Sequence, residues 1–254
     1  MKNYLSILTL ALFLLPFSAK PQTENVPSML VMVENEIPPS MVSEYEKVVV
    51  KETKILRKLN YPRSYFVYQT EDYHYYWVIQ IKDMSDFEKF NQELGNFIAR
   101  MEKEEGFVFG EEFKGRTNFM KQMIFQWLPN LSCMPEGTMK FNQAQYFRWG
   151  FCFAKVGFEN ELIQNWGEMA DIFKENEIEI GWQFYTGIIG TENPFFVWGE
   201  VYDSPLDMET KRAKAFQQIG DQTNKLWNET LQYLRKLEVQ TGWYRPDLSY
   251  VIEN

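Results

Sequence analysis

The pair of residues best suited to chemistry is an arginine and a carboxylate in two apolar segments of the second half of the chain. Arg148 lies in the predicted strand 145–154, and Glu200 lies in the predicted strand 195–202. If these strands are neighbours in one sheet, the guanidinium and the carboxylate meet. Such a pair could orient an acidic or hydroxylated ligand in an aromatic-walled cavity. The alternative is a structural ion pair that binds no ligand, because buried charges generally need each other.

Further candidates follow from the alternation of side chains along two hairpin strands, 73–81 and 195–202. Successive side chains point to opposite faces of a strand. The more apolar face is expected to pack under helices, and it holds Tyr75, Trp77, Ile79 and Ile81 in one strand and Phe195, Val197, Gly199 and Val201 in the other. The opposite face is expected to look into a cavity. The candidate ligand-binding residues are Arg148, Glu200, Trp198, Tyr76, Gln80, Tyr185, Tyr202 and His74.

His74 is the only histidine in the chain, so it is the sole candidate for a haem ligand or a histidine general base. It begins a hairpin strand close to Asp72, where an exposed imidazole at the edge of a loop is the commoner outcome. The sequence has no glycine-rich phosphate loop, no Cys-x-x-Cys, no histidine cluster for zinc and no nucleophile elbow. We therefore predict no metal and no cofactor, and the sequence assigns no catalytic residue.

The elements that must position these residues occur twice along the chain. Residues 75–83, YYWVIQIKD, return 120 positions later as FFVWGEVYD, and residues 127–132, WLPNLS, return 117 positions later as YRPDLS. The nearly constant offset predicts a duplicated unit of roughly 115 residues. In this alignment Tyr76 is equivalent to Phe196, and Gln80 is equivalent to Glu200.

Each repeat is predicted to run strand, helix, strand, strand, helix, strand. Apolar residues recur at helical spacing over 41–59, and 64–81 reads as a hairpin rich in aromatic and β-branched residues. Residues 85–88, SDFE, resemble a capping box, and Ser204-Pro205 opens the corresponding helix of the second repeat. The predicted boundaries are a signal peptide at 1–19, a first repeat at 28–132, a linker at 133–144 and a second repeat at 145–250.

This order of elements is that of the ferredoxin-like split fold, in which helices cover one face of a four-stranded antiparallel sheet. The pattern resembles the dimeric α/β-barrel superfamily in a fused two-repeat form, over essentially the whole mature chain. The resemblance implies an α+β fold whose two antiparallel sheets pack as an intramolecular α/β barrel. Members of that superfamily include cofactor-independent monooxygenases, isomerases and haem-handling proteins. Its haem-degrading members carry a histidine on a helix, which this chain lacks.

The first residues predict export. Lys2 precedes an apolar run over 5–17, and Ser18-Ala19 supplies small residues for cleavage. The run is shorter than the roughly 20 residues of a membrane span, so we expect no span after its removal and a periplasmic or extracellular protein. A net charge of −9 argues against nucleic acid as a partner. Cys133 and Cys152 are either a disulfide, which export permits, or two small buried apolar residues.

The function predicted from these features is that of an exported protein that binds a small apolar or aromatic ligand in the barrel between the two repeats. Whether it is an enzyme is left open. One alternative is a cofactor-independent monooxygenase or isomerase whose substrate is activated by Arg148, Glu200 and a tyrosine such as Tyr76, Tyr185 or Tyr202. Another is an interaction module of the cell envelope with a filled barrel. A homodimer is also compatible with the sequence.

Overall fold

A computed structural model of the chain describes residues 28–136 and 144–252. The predicted signal peptide and most of the predicted linker lie outside these residues. The described strands are β1 Met29–Glu36, β2 Phe66–Thr70, β3 His74–Ile81, β4 Phe119–Trp127, β5 Tyr146–Ala154, β6 Trp182–Ile189, β7 Phe195–Tyr202 and β8 Leu234–Tyr244. The α-helices are α1 Val42–Lys58, α2 Met84–Glu105, α3 Phe109–Phe113, α4 Glu159–Glu175 and α5 Pro205–Tyr233.

The eight strands close into one antiparallel barrel in the order β1-β3-β2-β8-β5-β7-β6-β4. Within each half of the chain the first strand lies between the third and the fourth, so the orders are β4-β1-β3-β2 and β8-β5-β7-β6. The two halves join at their edges, where β2 pairs with β8 and β4 pairs with β6. The predicted α+β barrel is confirmed. Closure leaves no unpaired strand edge in the barrel.

Local sequence signals fix where the two long helices begin. The Asp83 carboxylate accepts a hydrogen bond from the Asp86 N–H at the start of α2, and the Ser204 hydroxyl accepts one from the Asp207 N–H at the start of α5. Both contacts satisfy a backbone donor that has no partner inside its helix. Pro205 occupies the first turn of α5, where its missing N–H costs nothing. The two caps lie 121 positions apart, one more than the offset of the sequence alignment.

The apolar residues form layers on both sides of the barrel wall. Under α1 and α2 the sheet contributes Tyr75 and Ile79, and under α4 and α5 it contributes Phe196 and Trp198. The barrel interior is a separate layer of mostly aromatic side chains: Tyr68, Tyr76, Phe125, Phe147, Trp149, Phe151, Phe153 and Phe195, with Leu30, Met32, Met123 and Val197. Because β5 and β7 are buried on both faces, nearly all of their residues are apolar.

The predicted faces are right for β3 and wrong for β7. Tyr76 lies inside the barrel, whereas its supposed equivalent Phe196 packs under the helices. Phe195 and Val197 were expected under the helices and lie inside the barrel. The cause is a slip of one residue in the alignment, which turns every side chain of a strand to the other face. Consequently Glu200, Trp198 and Tyr202 belong to the outer, helix-covered face rather than to the barrel lumen.

Candidate functional site

The barrel encloses a cavity of about 330 Å³ at one end, which we call the barrel cavity. Most of the residues that line it are apolar or aromatic: Leu30, Met32, Phe66, Tyr68, Val78, Phe125, Met134, Trp149, Val197 and Gly199, with the polar Gln80, Gln183 and Tyr185. Strands from both halves of the chain contribute to the wall. The cavity therefore exists only because the two sheets close on each other.

The polar groups of the barrel cavity are neutral. The Tyr185 hydroxyl donates to Gln183 Oε1 at 2.7 Å, and Gln80 lies at the exposed rim. Burial raises the pKa of Tyr185 and of Tyr68 above the ordinary tyrosine value, so both phenols stay protonated. Among the described residues that line this cavity, none is Asp, Glu, Lys, Arg or His. The site offers hydrogen bonds to a ligand without offering a charge.

Toward the other end of β1 and β3, the interior holds an aromatic and polar network. The Tyr76 hydroxyl oxygen lies 2.5 Å from Gln240 Oε1 and 3.1 Å from Glu34 Oε1, the two acceptors available to its single proton. His74 Nδ1 lies 2.9 Å from the same Glu34 oxygen, and Tyr76 stacks toward Phe151. His74 and Tyr76 therefore face the interior as predicted, but neither lines the barrel cavity.

Arg148 and Glu200 are in contact, but they lie on the opposite face of the sheet from the barrel cavity. They occupy paired positions of β5 and β7, and Arg148 Nη1 lies 3.4 Å from Glu200 Oε2. They line a second cavity of about 240 Å³ between the sheet and helices α4 and α5, which we call the helix-side cavity. The predicted contact is confirmed, whereas its predicted location inside the barrel is wrong.

The helix-side cavity has aromatic walls and three charged groups. The Arg148 guanidinium lies over the Trp198 ring, 4.4 Å from its centroid, and burial holds the pKa of Arg148 below its usual value. Glu200 is only 8% exposed and accepts a hydrogen bond from the Tyr202 hydroxyl at 2.7 Å. Arg212, from α5, contacts the same carboxylate at 3.3 Å.

The sequence pattern did not predict four of these site residues: Arg212, Gln183, Tyr68 and Trp149. Arg212 could not be predicted as a site residue, because helical spacing alone does not show which carboxylate a helix residue will reach. A buried Glu200 among aromatic residues was the available signal, since an isolated buried carboxylate needs more than one partner. Of the eight candidates, Gln80 and Tyr185 line the barrel cavity, and Arg148, Trp198 and Glu200 line the helix-side cavity.

The two cysteines are buried and not bridged to each other. Burial raises the pKa of the Cys152 thiol to about 12, so it stays an unreactive thiol at neutral pH. Over residues 28–136 and 144–252, no group of three or more His, Cys, Asp or Glu side chains could hold a metal ion. No helix in the same ranges is long and apolar enough to cross a membrane.

Solved structures share this fold at low sequence identity. No family model and no curated protein matches the sequence. An anthrone oxidase-like protein is 14% identical with a TM-score of 0.61, over 87% of this chain and 92% of its own. A proposed monooxygenase from Lactobacillus acidophilus is 10% identical with a TM-score of 0.52, over 88% and 95%. A chlorite dismutase variant from Candidatus Nitrospira defluvii is 10% identical with a TM-score of 0.53, over 88% and 93%. These likenesses show the fold alone, and the chain has the dimeric α/β-barrel fold.

Proposed function

We propose that the protein binds a small, neutral, largely aromatic molecule in the barrel cavity. The observation that carries this proposal is the space of about 330 Å³ left inside the barrel. Ligand sites are typically concave and mostly apolar, with a few polar groups that fix orientation, and they span about 300–1,000 Å³. The cavity also argues against the alternative of an interaction module with a filled barrel.

The walls indicate what kind of molecule fits. Tyr68 and Trp149 are in edge contact, with ring centroids 5.1 Å apart, and present aromatic surface to the cavity. Gln183 and Tyr185 form the polar end through their hydrogen bond, and the Gln183 amide nitrogen supplies a further donor. A ligand with fused or linked rings and one or two carbonyl or hydroxyl oxygens matches both features. A charged ligand would lose its hydration without gaining a counter-charge.

A second candidate function is oxidation of such a molecule by dioxygen, which the likeness to an anthrone oxidase-like protein and a proposed monooxygenase favours. Conversion of an anthrone to an anthraquinone consumes one O₂ and releases one water, so the substrate gives up four electrons and O₂ accepts them. The first step removes a proton from carbon, which needs a base. The barrel cavity offers only protonated tyrosines and amides among its described residues. We therefore prefer ligand binding to oxidation as the function of the barrel cavity.

Mass spectrometry of the organic extract of the purified protein tests the binding proposal. We expect a neutral aromatic compound that is absent from an extract of the Val78→Phe variant, because Val78 lines the barrel cavity. Incubation of the protein with anthrone in air tests the second function. Anthraquinone formed faster than in buffer, and suppressed by Val78→Phe, would favour the enzyme. Extracts without any bound compound, together with no affinity for neutral aromatic probes, would reject both.

We also infer that the two halves arose by duplication and that the chain is exported. The same order of strands in both halves and the equivalent helix caps at Asp83 and Ser204 support duplication. The apolar run after Lys2 supports export. Each half supplies four adjacent strands of the barrel wall, so duplication would place the whole cavity in one chain.

A further inference from the structure

The helix-side cavity carries more positive charge than its own carboxylate neutralises. Arg148 and Arg212 both contact Glu200 through Nη1, at distances of 3.3–3.5 Å. Among the described residues, Nε and Nη2 of these two arginines form no hydrogen bond. One positive charge and several oriented donors are therefore left without a partner among the described residues, and an anion would complete the site.

The same cavity has walls for a flat ring. The sheet contributes Trp182 and Trp198 to the walls, and α4 contributes Trp166. The ring centroids of Trp166 and Trp182 lie 6.0 Å apart. Phe216 of α5 is 62% exposed at the opening. Trp166 is 92% buried, and its Nε1 has no acceptor among the described residues, although a buried indole N–H usually has one. These flat aromatic side chains give walls against which a ring can pack.

We propose that the helix-side cavity is a second binding site, which takes a small aromatic carboxylate. The ring packs among the tryptophans, and the carboxylate binds Arg148 and Arg212 at the open side. A guanidinium pairs with a carboxylate through two parallel hydrogen bonds, which the unused Nε and Nη2 donors allow. The volume of about 240 Å³ suits one or two rings. The apolar walls disfavour inorganic anions such as phosphate.

Glu200 sets the affinity of this site. Its negative charge partly neutralises the two guanidinium groups and repels a second anion, and its contacts keep both groups ordered when no ligand is bound. Loss of its charge should therefore strengthen binding of an anion. If the ion pair were purely structural, Glu200→Gln would lower stability without strengthening the binding of an anion.

The test measures binding of 1-naphthoate to the full chain by quenching of tryptophan fluorescence, with 1-naphthamide as the neutral isostere. We expect 1-naphthoate to bind and 1-naphthamide to bind at least about tenfold more weakly, since hydrogen bonds to charged groups are the strong ones. Arg212→Gln should weaken 1-naphthoate by about tenfold, and Glu200→Gln should tighten it. Lys214→Gln is the matched control, because Lys214 lies on the same helix and pairs with Glu179 outside the cavity.

Equal affinities for naphthoate and naphthamide would overturn the proposal, and so would an unchanged affinity in Arg212→Gln. If Glu200→Gln unfolds, the Arg212→Gln result decides alone, because Arg212 is 37% exposed and its replacement leaves Glu200 paired with Arg148. The Val78→Phe variant separates this site from the barrel cavity. It should leave 1-naphthoate binding unchanged, and loss of naphthoate binding in that variant would assign the ligand to the barrel instead.

Discussion

Trp198 lies against Gly150 in the paired strands β7 and β5, at a distance that no side chain on residue 150 would allow. A Cβ atom built on Gly150 would lie 2.1 Å from the Trp198 ring. The glycine thus lets the indole lie flat on the neighbouring strand, where Arg148 covers it at 4.4 Å. This contact sets the floor of the helix-side cavity.

Gly150→Ala should displace the Trp198 ring and destabilise the fold by about 1–3 kcal/mol, the range for overpacking a well-packed core. Urea denaturation followed by circular dichroism measures the effect. Gly95→Ala is the matched control. A Cβ on Gly95, in the exposed middle of α2, meets nothing within 4 Å, so this change should stabilise the protein by about 0.5–1 kcal/mol. A Gly150→Ala variant as stable as wild type would show that the floor is not tightly packed.

Glu52 is a buried carboxyl in α1 whose Oε2 has no hydrogen-bond partner among the described residues. Burial raises its pKa to about 8, so the folded state holds a proton that the unfolded state releases near pH 4.5. The free energy of unfolding should therefore fall as the pH rises from about 4.5 to 8, by up to about 1.4 kcal/mol per unit, and level off above. Glu52→Gln should remove that decline. Thermal unfolding of both proteins between pH 5 and 9 measures it, and parallel curves would contradict the assignment.

His74 should titrate above the ordinary histidine value, because its hydrogen bond to Glu34 raises its pKa. The stabilising contribution is fully present below pH 6.5 and is lost as the pH rises through the folded-state pKa. Since His74 is the only histidine, its ring proton signals in an NMR titration need no assignment. In Glu34→Gln the midpoint should move down toward 6.5. A midpoint unaffected by that substitution would mean that another group controls His74.

Export predicts a processed N-terminus. Chemical sequencing of the mature protein should give a first residue between Ser18 and Gln22. Replacement of Leu10 by Arg should block processing, because a charge in the apolar run prevents its recognition as a signal peptide. Recovery of intact Met1 in the membrane fraction of wild type would contradict cleavage and indicate an uncleaved anchor.

The sequence alone predicts the barrel and one contact of the site, that between Arg148 and Glu200. The aromatic hairpins and helical spacings predicted the order of elements, and the order of elements predicted that Arg148 and Glu200 would meet on adjacent strands. The sequence did not predict on which face of the sheet these two residues meet. Alternation identifies faces only where one face is polar, and β7 is buried on both. The equivalence of Trp77 with Trp198, 121 positions apart, gives the correct faces, but the similarity of residues 75–83 and 195–203 favoured an offset of 120.

The barrel cavity could not be located from the sequence for a different reason. Gln183 and Tyr185 come from β6, whereas Tyr68 comes from β2 in the other half, and their meeting depends on how the two sheets close. No local pattern encodes the β2–β8 and β4–β6 pairings. Space inside a barrel also depends on how far large side chains such as Phe151 and Phe195 extend, which composition does not give.

Binding of the neutral probe N-phenyl-1-naphthylamine tests the central claim most directly, because its fluorescence rises in apolar surroundings. We predict saturable binding to wild type, at least about tenfold weaker binding to Val78→Phe, where the added ring fills the barrel cavity, and unchanged binding to Arg212→Gln. Val156→Phe, at a position 81% exposed, is the control for an added ring. Equal binding to wild type and Val78→Phe, with both proteins folded, would contradict a ligand site inside the barrel.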